Sequence, residues 1–238
     1  MTRYAPMTFM ARHAHAFDKV SVVLSGSVLE RSVAGERVAQ AGWIVVKPGG
    51  VLHEDVVGER GLCMLSLAAT PQSSEASDAW ASLTADYRWM PLEPCVGRLV
   101  GMIAGRIEDP AVAIEEVLFA LAGNAVQRLR HEPGWLAKAR SILEERHDSP
   151  PSLVALADEV AVHPVSLSRA FQRAGTSKTE IVHRRRVERA LDALREPTTL
   201  GQVAAELGYA DGAHFSRSFR FWMGCSPSAF RAKFLSNG

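Results

Sequence analysis

The last roughly ninety residues repeat themselves, and this constrains the fold more than any other feature of the chain. Leu153, Leu156, Ala157 and Val162 recur as Leu200, Val203, Ala204 and Tyr209, at a constant offset of 47. Leu167, Arg169 and Phe171 recur as Phe215, Arg217 and Phe219 at 48, and Gly175 and Ser177 as Gly224 and Ser226 at 49. A repeat of this length reuses one supersecondary unit. The one-residue slips fall where turns are expected.

Each unit reads as a helix-turn-helix, over about 152–173 and 199–222. Leu153, Leu156, Ala157 and Val160 line one face of a first helix, and Leu200, Val203, Ala204 and Leu207 do the same. Ala157 and Ala204 are small where a second helix must cross closely. Gly208 suits a helix C-terminal turn, which often needs positive φ. Ser177 and Ser226 are N-cap candidates, and Pro227 suits a first helical position. Thr179–Leu194 can join the units as one helix. Helical hairpins also serve protein binding. The polar faces of the second helices point instead to DNA, because a helix in the major groove reads base edges from near its N-terminus. Val165, Ser168 and Arg169 are free of the core stripe in the first unit; Gly212, Ala213, His214, Ser216 and Arg217 are free in the second. Arginine is the commonest reader of guanine. Arg184, Arg185, Arg186 and Arg189 add a basic cluster suited to phosphates. Glu180, Glu188 and Asp192 could equally pair with that cluster along the helix.

The formal net charge of +1 over 238 residues conceals an asymmetry. Residues from Gly134 onward carry 15 Lys and Arg against 11 Asp and Glu, and the remainder carry 12 against 15. The step falls at His131-Glu132-Pro133-Gly134, a linker by composition. A basic half suits a polyanion, although +4 alone is equally a solvated surface.

The first half changes period. Val20–Leu24, Trp43–Val46 and Cys63–Leu67 are short apolar runs, with Ser25-Gly26-Ser27 and Ala34-Gly35-Glu36 between runs at hairpin spacing. This predicts an antiparallel sheet or small barrel. Pro71–Ser77 reads as a loop. Val96, Leu99, Val100 and Ile103 then follow helical spacing, as do Ile114, Val117, Leu118 and Leu121, extended by Ala125 and Leu129. Such stripes fit either a completed core or a subunit interface.

From about Trp135 to Phe234 the chain resembles the DNA-binding domain of the AraC/XylS family of bacterial transcriptional regulators. The carrying residues are Leu167-Ser-Arg169-Ala-Phe171, Arg186-Val-Glu-Arg189-Ala190-Leu191, Leu207-Gly208-Tyr209, His214-Phe215-Ser216-Arg217-Ser-Phe219-Arg220, Gly224-Cys-Ser226-Pro227 and Phe230-Arg231. The resemblance implies base-reading at Val165, Ser168, Arg169, Gly212, Ala213, His214 and Arg217, with the two units in successive major grooves. One departure is a residue missing between Arg173 and Gly175. Short side chains dominate both readers, so DNA shape is expected to supply part of the specificity.

The N-terminal half resembles the cupin-like effector domain of the same family. Gly42-Trp-Ile-Val-Val-Lys-Pro48-Gly-Gly50-Val-Leu-His53 matches the second cupin motif. The first motif is partial: His13-Ala-His15 supplies its histidine pair, Gly26 its closing glycine, and Lys19 stands where metal cupins place Glu. The resemblance implies an effector pocket near His13, His15 and His53, with Trp43 and Lys47 as further lining candidates. The three histidines could hold a metal with an open position; Lys19 opposes one, and no cofactor is expected.

Other chemistry is excluded by pattern. Cys63, Cys95 and Cys225 form neither a disulfide framework nor a CxxC zinc site. No phosphate-binding loop, dinucleotide fingerprint or nucleophile elbow is present. No apolar run reaches membrane-span length, and no signal peptide opens the chain.

The expected fold is therefore α+β in two domains: a cupin-like antiparallel β-barrel at 1–70 with a helical, dimerising segment at 71–132, then an all-α double helix-turn-helix at 133–238. The resemblance implies a cytoplasmic, non-enzymatic regulator. It would act as a homodimer on double-stranded DNA and RNA polymerase, answer to a small-molecule effector, and activate transcription more often than repress it. The competing reading is a metal-dependent cupin enzyme with an appended DNA-binding domain.

Overall fold

The structure, a computed structural model, describes residues 1–68, 74–105, 110–128 and 133–235. Seven strands precede and interleave with the first helices. They are β1 (Thr2–Tyr4), β2 (Phe9–His13), β3 (Lys19–Ser32), β4 (Gly35–Gln40), β5 (Ile44–Lys47), β6 (His53–Leu67) and β7 (Arg88–Met90). All their ladders are antiparallel, as the apolar runs predict. Long β3 and β6 form the spine. β4 and β5 pair with opposite ends of β3, and β2 and β1 with opposite ends of β6. β7 extends the sheet beyond β5.

The turn at Ala34-Gly35 is the expected hairpin, but Ser25-Gly26-Ser27 is not a turn. It lies inside β3, where the register with β6 slips on both sides of it. Gly26 and Gly61 bend the two long strands together at φ +77° and +73°. A Cβ on Gly26 would stand 1.9 Å from the Gly61 carbonyl oxygen. A glycine bulge and a hairpin glycine look alike in sequence, because both need positive φ.

Alternation sends Val20, Val22, Leu24, Ile44 and Val46 to one face, and Val23, Val28, Val45, Val57 and Met64 to the other. The first face is covered by α1 (Ser74–Thr84), α2 (Val96–Ile103) and α3 (Pro110–Arg128). Helix α1 begins inside the segment expected to be a loop. Val96, Leu99, Val100, Val117, Leu118 and Leu121 are all buried in this core. The stripes expected for dimerisation are thus spent within the chain. Leu129, and the linker residues His131 and Glu132, lie outside the described residues, as does the side chain of Ala125.

The C-terminal helices are α4 (Gly134–Glu145), α5 (Leu153–Glu159), α6 (Pro164–Arg173), α7 (Lys178–Ala193), α8 (Leu200–Glu206), α9 (Gly212–Met223) and α10 (Pro227–Phe230), the last running into a π turn at Arg231–Leu235. Their starts are capped as the sequence requires. Ser152, Ser177, Thr199, Asp211 and Ser226 each accept a backbone N–H of the first turn, and Thr199 with Gln202 makes a reciprocal capping box.

The apolar packing does not divide at the linker. Helices α4, α5 and α6 close a core of their own with Ile181 and Val182 of α7. From Val187 onward, α7 joins α8, α9 and α10 in the same core as the sheet and α1–α3. The second helix-turn-helix is therefore built into the N-terminal half, and the first hangs from it on α7. At the joint, Gly97 of α2 lies against Gly224, the C-cap of α9. Arg195 donates to Ser25 Oγ and to the Arg60 carbonyl, and the Gly26 N–H donates to Asp192.

Candidate nucleic-acid interface and the histidine cluster

Helices α6 and α9 are the second helices of the two units. Leu167 and Phe171 of α6, and Phe215 and Phe219 of α9, are buried at 2% exposure or less. This fixes the opposite faces outward. Val165 and Arg169 are exposed and Ser168 half-buried; Ala213 and Arg217 are exposed, and Gly212, His214 and Ser216 half-buried. The repeat offset of 48 superposes Val165, Ser168 and Arg169 on Ala213, Ser216 and Arg217. All lie in the first two turns of their helices. Arg169 makes no ion pair with any described residue. Arg217 faces the helix-capping Asp211, whose carboxyl is held low first by the His214 N–H. These guanidinium groups remain open to an outside acceptor.

His214 is anchored from behind. Its ring meets Tyr209 edge-on at 5.2 Å and lies 5.8 Å from His183 of α7. Ser218 Oγ bridges His183 Nδ1 and Tyr209 OH, each at 3.2 Å. Burial, then Arg186 and His214, lower the His183 pKa, so the imidazole is held neutral. Neither sequence spacing nor the repeat indicates this chain of contacts, because His183 has no counterpart in a second linking helix.

The basic cluster on α7 needs correction. Arg184 is buried and paired with Glu144 at 2.7 Å and Glu188 at 3.5 Å. Arg186 is buried too, donating to the carbonyls of His147 and Asp148 and lying 5.1 Å over the Tyr209 ring. Both are buried at the union of α4 with α7, their guanidinium groups bonded within the chain. Arg185 is half-buried on Glu188, and Arg189 is exposed. Three consecutive helix positions, 184 to 186, necessarily point in different directions, and Arg189, one turn on, shares the side of Arg185.

The N-terminal half brings its histidines together. His13 and His15 flank the end of β2 and His53 begins β6, and their rings lie 4.4–5.2 Å apart. One nitrogen from each falls within 4.8 Å of the others. His13 Nδ1–H donates to the Ala11 carbonyl at 2.8 Å, and His53 Nδ1–H to Val51 at 3.0 Å. A carbonyl can only accept, so both rings present Nε2 as a lone pair. The buried His53 Nε2 has no hydrogen-bond partner. Burial, followed by Lys19, lowers the His15 pKa to about 4. Burial and Lys47 also lower that of His53. Three clustered imidazoles, two of them with Nε2 turned free by the bonds at Nδ1, fit a metal ion, which would tie β2 to β6 as a Lewis acid with an open coordination position.

Beneath them, Lys47 is buried between Glu30 at 2.7 Å and Asp55 at 3.0 Å. Asp55 also partly offsets Lys19, which stands directly across from Lys47 in the ladder. The chamber beside the histidines is about 20 Å³, room for an ion or a water. Trp43 is not there. It lies four residues along the strand from Lys47, about 13 Å, where Arg37 stacks 5.0 Å over its ring. Larger spaces open where the sheet meets the C-terminal helices, about 930 Å³ beside Trp43 and about 430 Å³ beside Arg195.

A family model described as a helix-turn-helix domain matches residues 156–233, from α5 to the π turn. The HTH-type transcriptional activator RhaR of Pectobacterium atrosepticum is 26% identical over 250 residues, covering 97% of this chain and 76% of that protein. Both matches make the chain similar to HTH-type transcriptional regulators. An uncharacterized HTH-type transcriptional regulator of Mycobacterium tuberculosis is 32% identical over 116 residues. That match takes in 48% of this chain, which spans about a third of that relative's length (34%). The C-terminal domain of AraT, a response regulator from Geobacillus stearothermophilus, is 26% identical, covers 45% of this chain and 92% of that one, and superposes with a TM-score of 0.42. Among the described residues no helix is long and apolar enough to cross a membrane.

Proposed function

We propose that this protein is a sequence-specific, DNA-binding transcriptional regulator controlled by a small molecule bound to its N-terminal half. The carrying observation is the pair of equivalent exposed sets, Val165/Ser168/Arg169 and Ala213/Ser216/Arg217, on two capped helices joined by α7. Duplicated readers on one rigid linker suit two successive major grooves of double-stranded DNA. The short side chains beside each arginine leave base contacts few, so DNA deformability shares in the recognition. Activation, through contact with RNA polymerase in the cytoplasm, is the family's commoner mode.

A homodimer remains part of this reading, but not through the buried stripes. The outward face of α3 offers Val112 and Phe119, 51% and 43% exposed and one heptad apart. The enzyme reading is weaker. A metal held by His13, His15 and His53 would sit in a chamber of about 20 Å³, too small for an organic substrate beside it.

Selecting bound fragments from genomic DNA tests the proposal and yields the operator. On that operator Arg217→Ala is expected to cost about 1–3 kcal/mol while leaving non-specific DNA affinity nearly unchanged. Equal loss on unrelated DNA would make Arg217 a phosphate contact. Absence of any enriched sequence would refute sequence-specific binding.

A further inference from the structure

Val165 stands at the second position of α6 with its side chain 50% exposed. A single exposed valine signifies little elsewhere on a surface. At this position its neighbours decide what it can meet. Leu167 and Phe171 are buried, which turns Val165 outward, and exposed Arg169 follows one turn along on the same face. His163 caps the helix by accepting the Val165 N–H at 3.2 Å. That amide is thereby spent within the chain, and what Val165 presents to a ligand is a pair of methyl groups.

Methyl groups neither donate nor accept hydrogen bonds, so a phosphate oxygen offers them nothing. In the major groove one group matches them, the C5 methyl of thymine, which the other three bases lack. Contact between the two takes apolar surface of both out of water. A β-branched side chain on a helix already holds one rotamer, so the contact orders little that was free. Four helical residues rise about 6 Å and a base-pair step about 3.4 Å. The bases met by Val165 and Arg169 are therefore about two base pairs apart. The second unit differs here. The offset of 48 sets Ala213 against Val165. The Ala213 N–H likewise turns to its cap, Asp211, but its side chain is one methyl, held closer to the backbone.

We propose that Val165 selects a thymine in the first unit's half of the operator through its C5 methyl group, about two base pairs from the base that Arg169 contacts. Ala213 leaves the second half the less demanding of the two at that point. The assignment rests on the proposed function, since it names the base that one reader of that interface requires.

The test uses the full chain and the operator that it selects. Each thymine is replaced in turn by uracil, which keeps the pairing and the O4 acceptor and removes only the methyl. One replacement is expected to weaken binding about three- to fivefold, the worth of one buried methyl group. Val165→Ala changes a side chain outside both helical cores and should leave the fold intact. In that variant the thymine operator should bind as weakly as the uracil one, and the penalty at that position should vanish. Cytosine at the same position should weaken binding to the unaltered chain, and 5-methylcytosine should recover part of the loss by restoring the methyl. A penalty that survives unchanged in Val165→Ala overturns the proposal. A chain that selects no sequence refutes the proposed function, and this assignment with it. A selected operator that binds equally well with each thymine replaced refutes the assignment alone.

Discussion

Gly224→Ala is expected to loosen the joint between the N-terminal half and the second helix-turn-helix. Gly224 caps α9 at φ +66°. A side chain in that left-handed region costs about 1 kcal/mol. The new Cβ would also stand 1.9 Å from the Gly97 carbonyl oxygen, 2.8 Å from its carbon and 3.2 Å from the Gly101 nitrogen. These are backbone atoms of α2, so no rotamer change relieves them. The helix must retreat by about 1.5 Å to restore ordinary contact, an overpacking cost of about 1–3 kcal/mol. The total of about 2–4 kcal/mol is a large share of a stability of about 5–15 kcal/mol. It corresponds to a fall in Tm of about 5–15 °C. Gly105 supplies the control. Its φ is +75°, but a Cβ there meets nothing within 4 Å. Gly105→Ala therefore isolates the conformational term of about 1 kcal/mol. Gly97→Ala isolates the other, since Gly97 lies within α2 without positive φ; its clash with the Gly224 nitrogen at 2.8 Å opposes a helix-propensity gain of about 1 kcal/mol. Urea unfolding of the three variants checks the reasoning. If Gly224→Ala loses no more than Gly105→Ala, the close approach of α2 and α9 does not hold the joint.

Thr199→Ala removes half of the capping box with Gln202 and should cost about 0.5–2 kcal/mol by urea unfolding, with little change in m-value. His183 is held neutral in the fold, while the unfolded chain takes up a proton near pH 6.5. Its contribution to stability is therefore present above that pH and is lost as pH falls through the lowered folded value. His183→Gln should flatten the acid limb of a stability–pH curve, and an unchanged limb would count against the role. Metal analysis after incubation with zinc should find about one ion per chain, lost in His53→Ala; equal uptake by that variant would place the ion elsewhere.

What the sequence discloses here depends on whether a local chemical need stands behind it. Ser177, Ser226 and Gly208 are readable because helix ends require oxygens and positive φ at fixed positions. The outward sets on α6 and α9 follow from helical period and from Leu167, Phe171, Phe215 and Phe219 being apolar. His13, His15 and His53 meet because β2 and β6 pair, with His13 opposite His53, as the motif resemblance implies. The misreadings share another origin. Gly26 obeys a rule common to hairpins and bulges, and only the length of β3 tells them apart. Arg184 and Arg186 look like surface until α4 is placed over them, since their burial depends on Glu144 and on the carbonyls of His147 and Asp148 some forty residues earlier. The shared core is illegible for the same reason, because an apolar stripe records that it is covered but not by what.

On the proposed function, that shared core changes how control of DNA binding works. A sensor and a reader joined by a plain linker could signal only by changing their distance or orientation. Here α9 is packed against α2, and α7 carries two cores on one rod, Ile181 and Val182 in the first unit's and Val187, Ala190, Leu191 and Leu194 in the other. A change at the sheet reaches α9 directly. It reaches α6 through α7, by way of Arg184 on Glu144 and Arg186 on the His147 carbonyl. The two readers consequently respond unequally to anything bound at the joint. The differential contact that control requires is the spacing between them, set by how firmly α4 and α5 are held to α7. On that reading Arg184 and Arg186 act by fixing where Arg169 stands relative to Arg217, through their bonds to Glu144 and the His147 carbonyl.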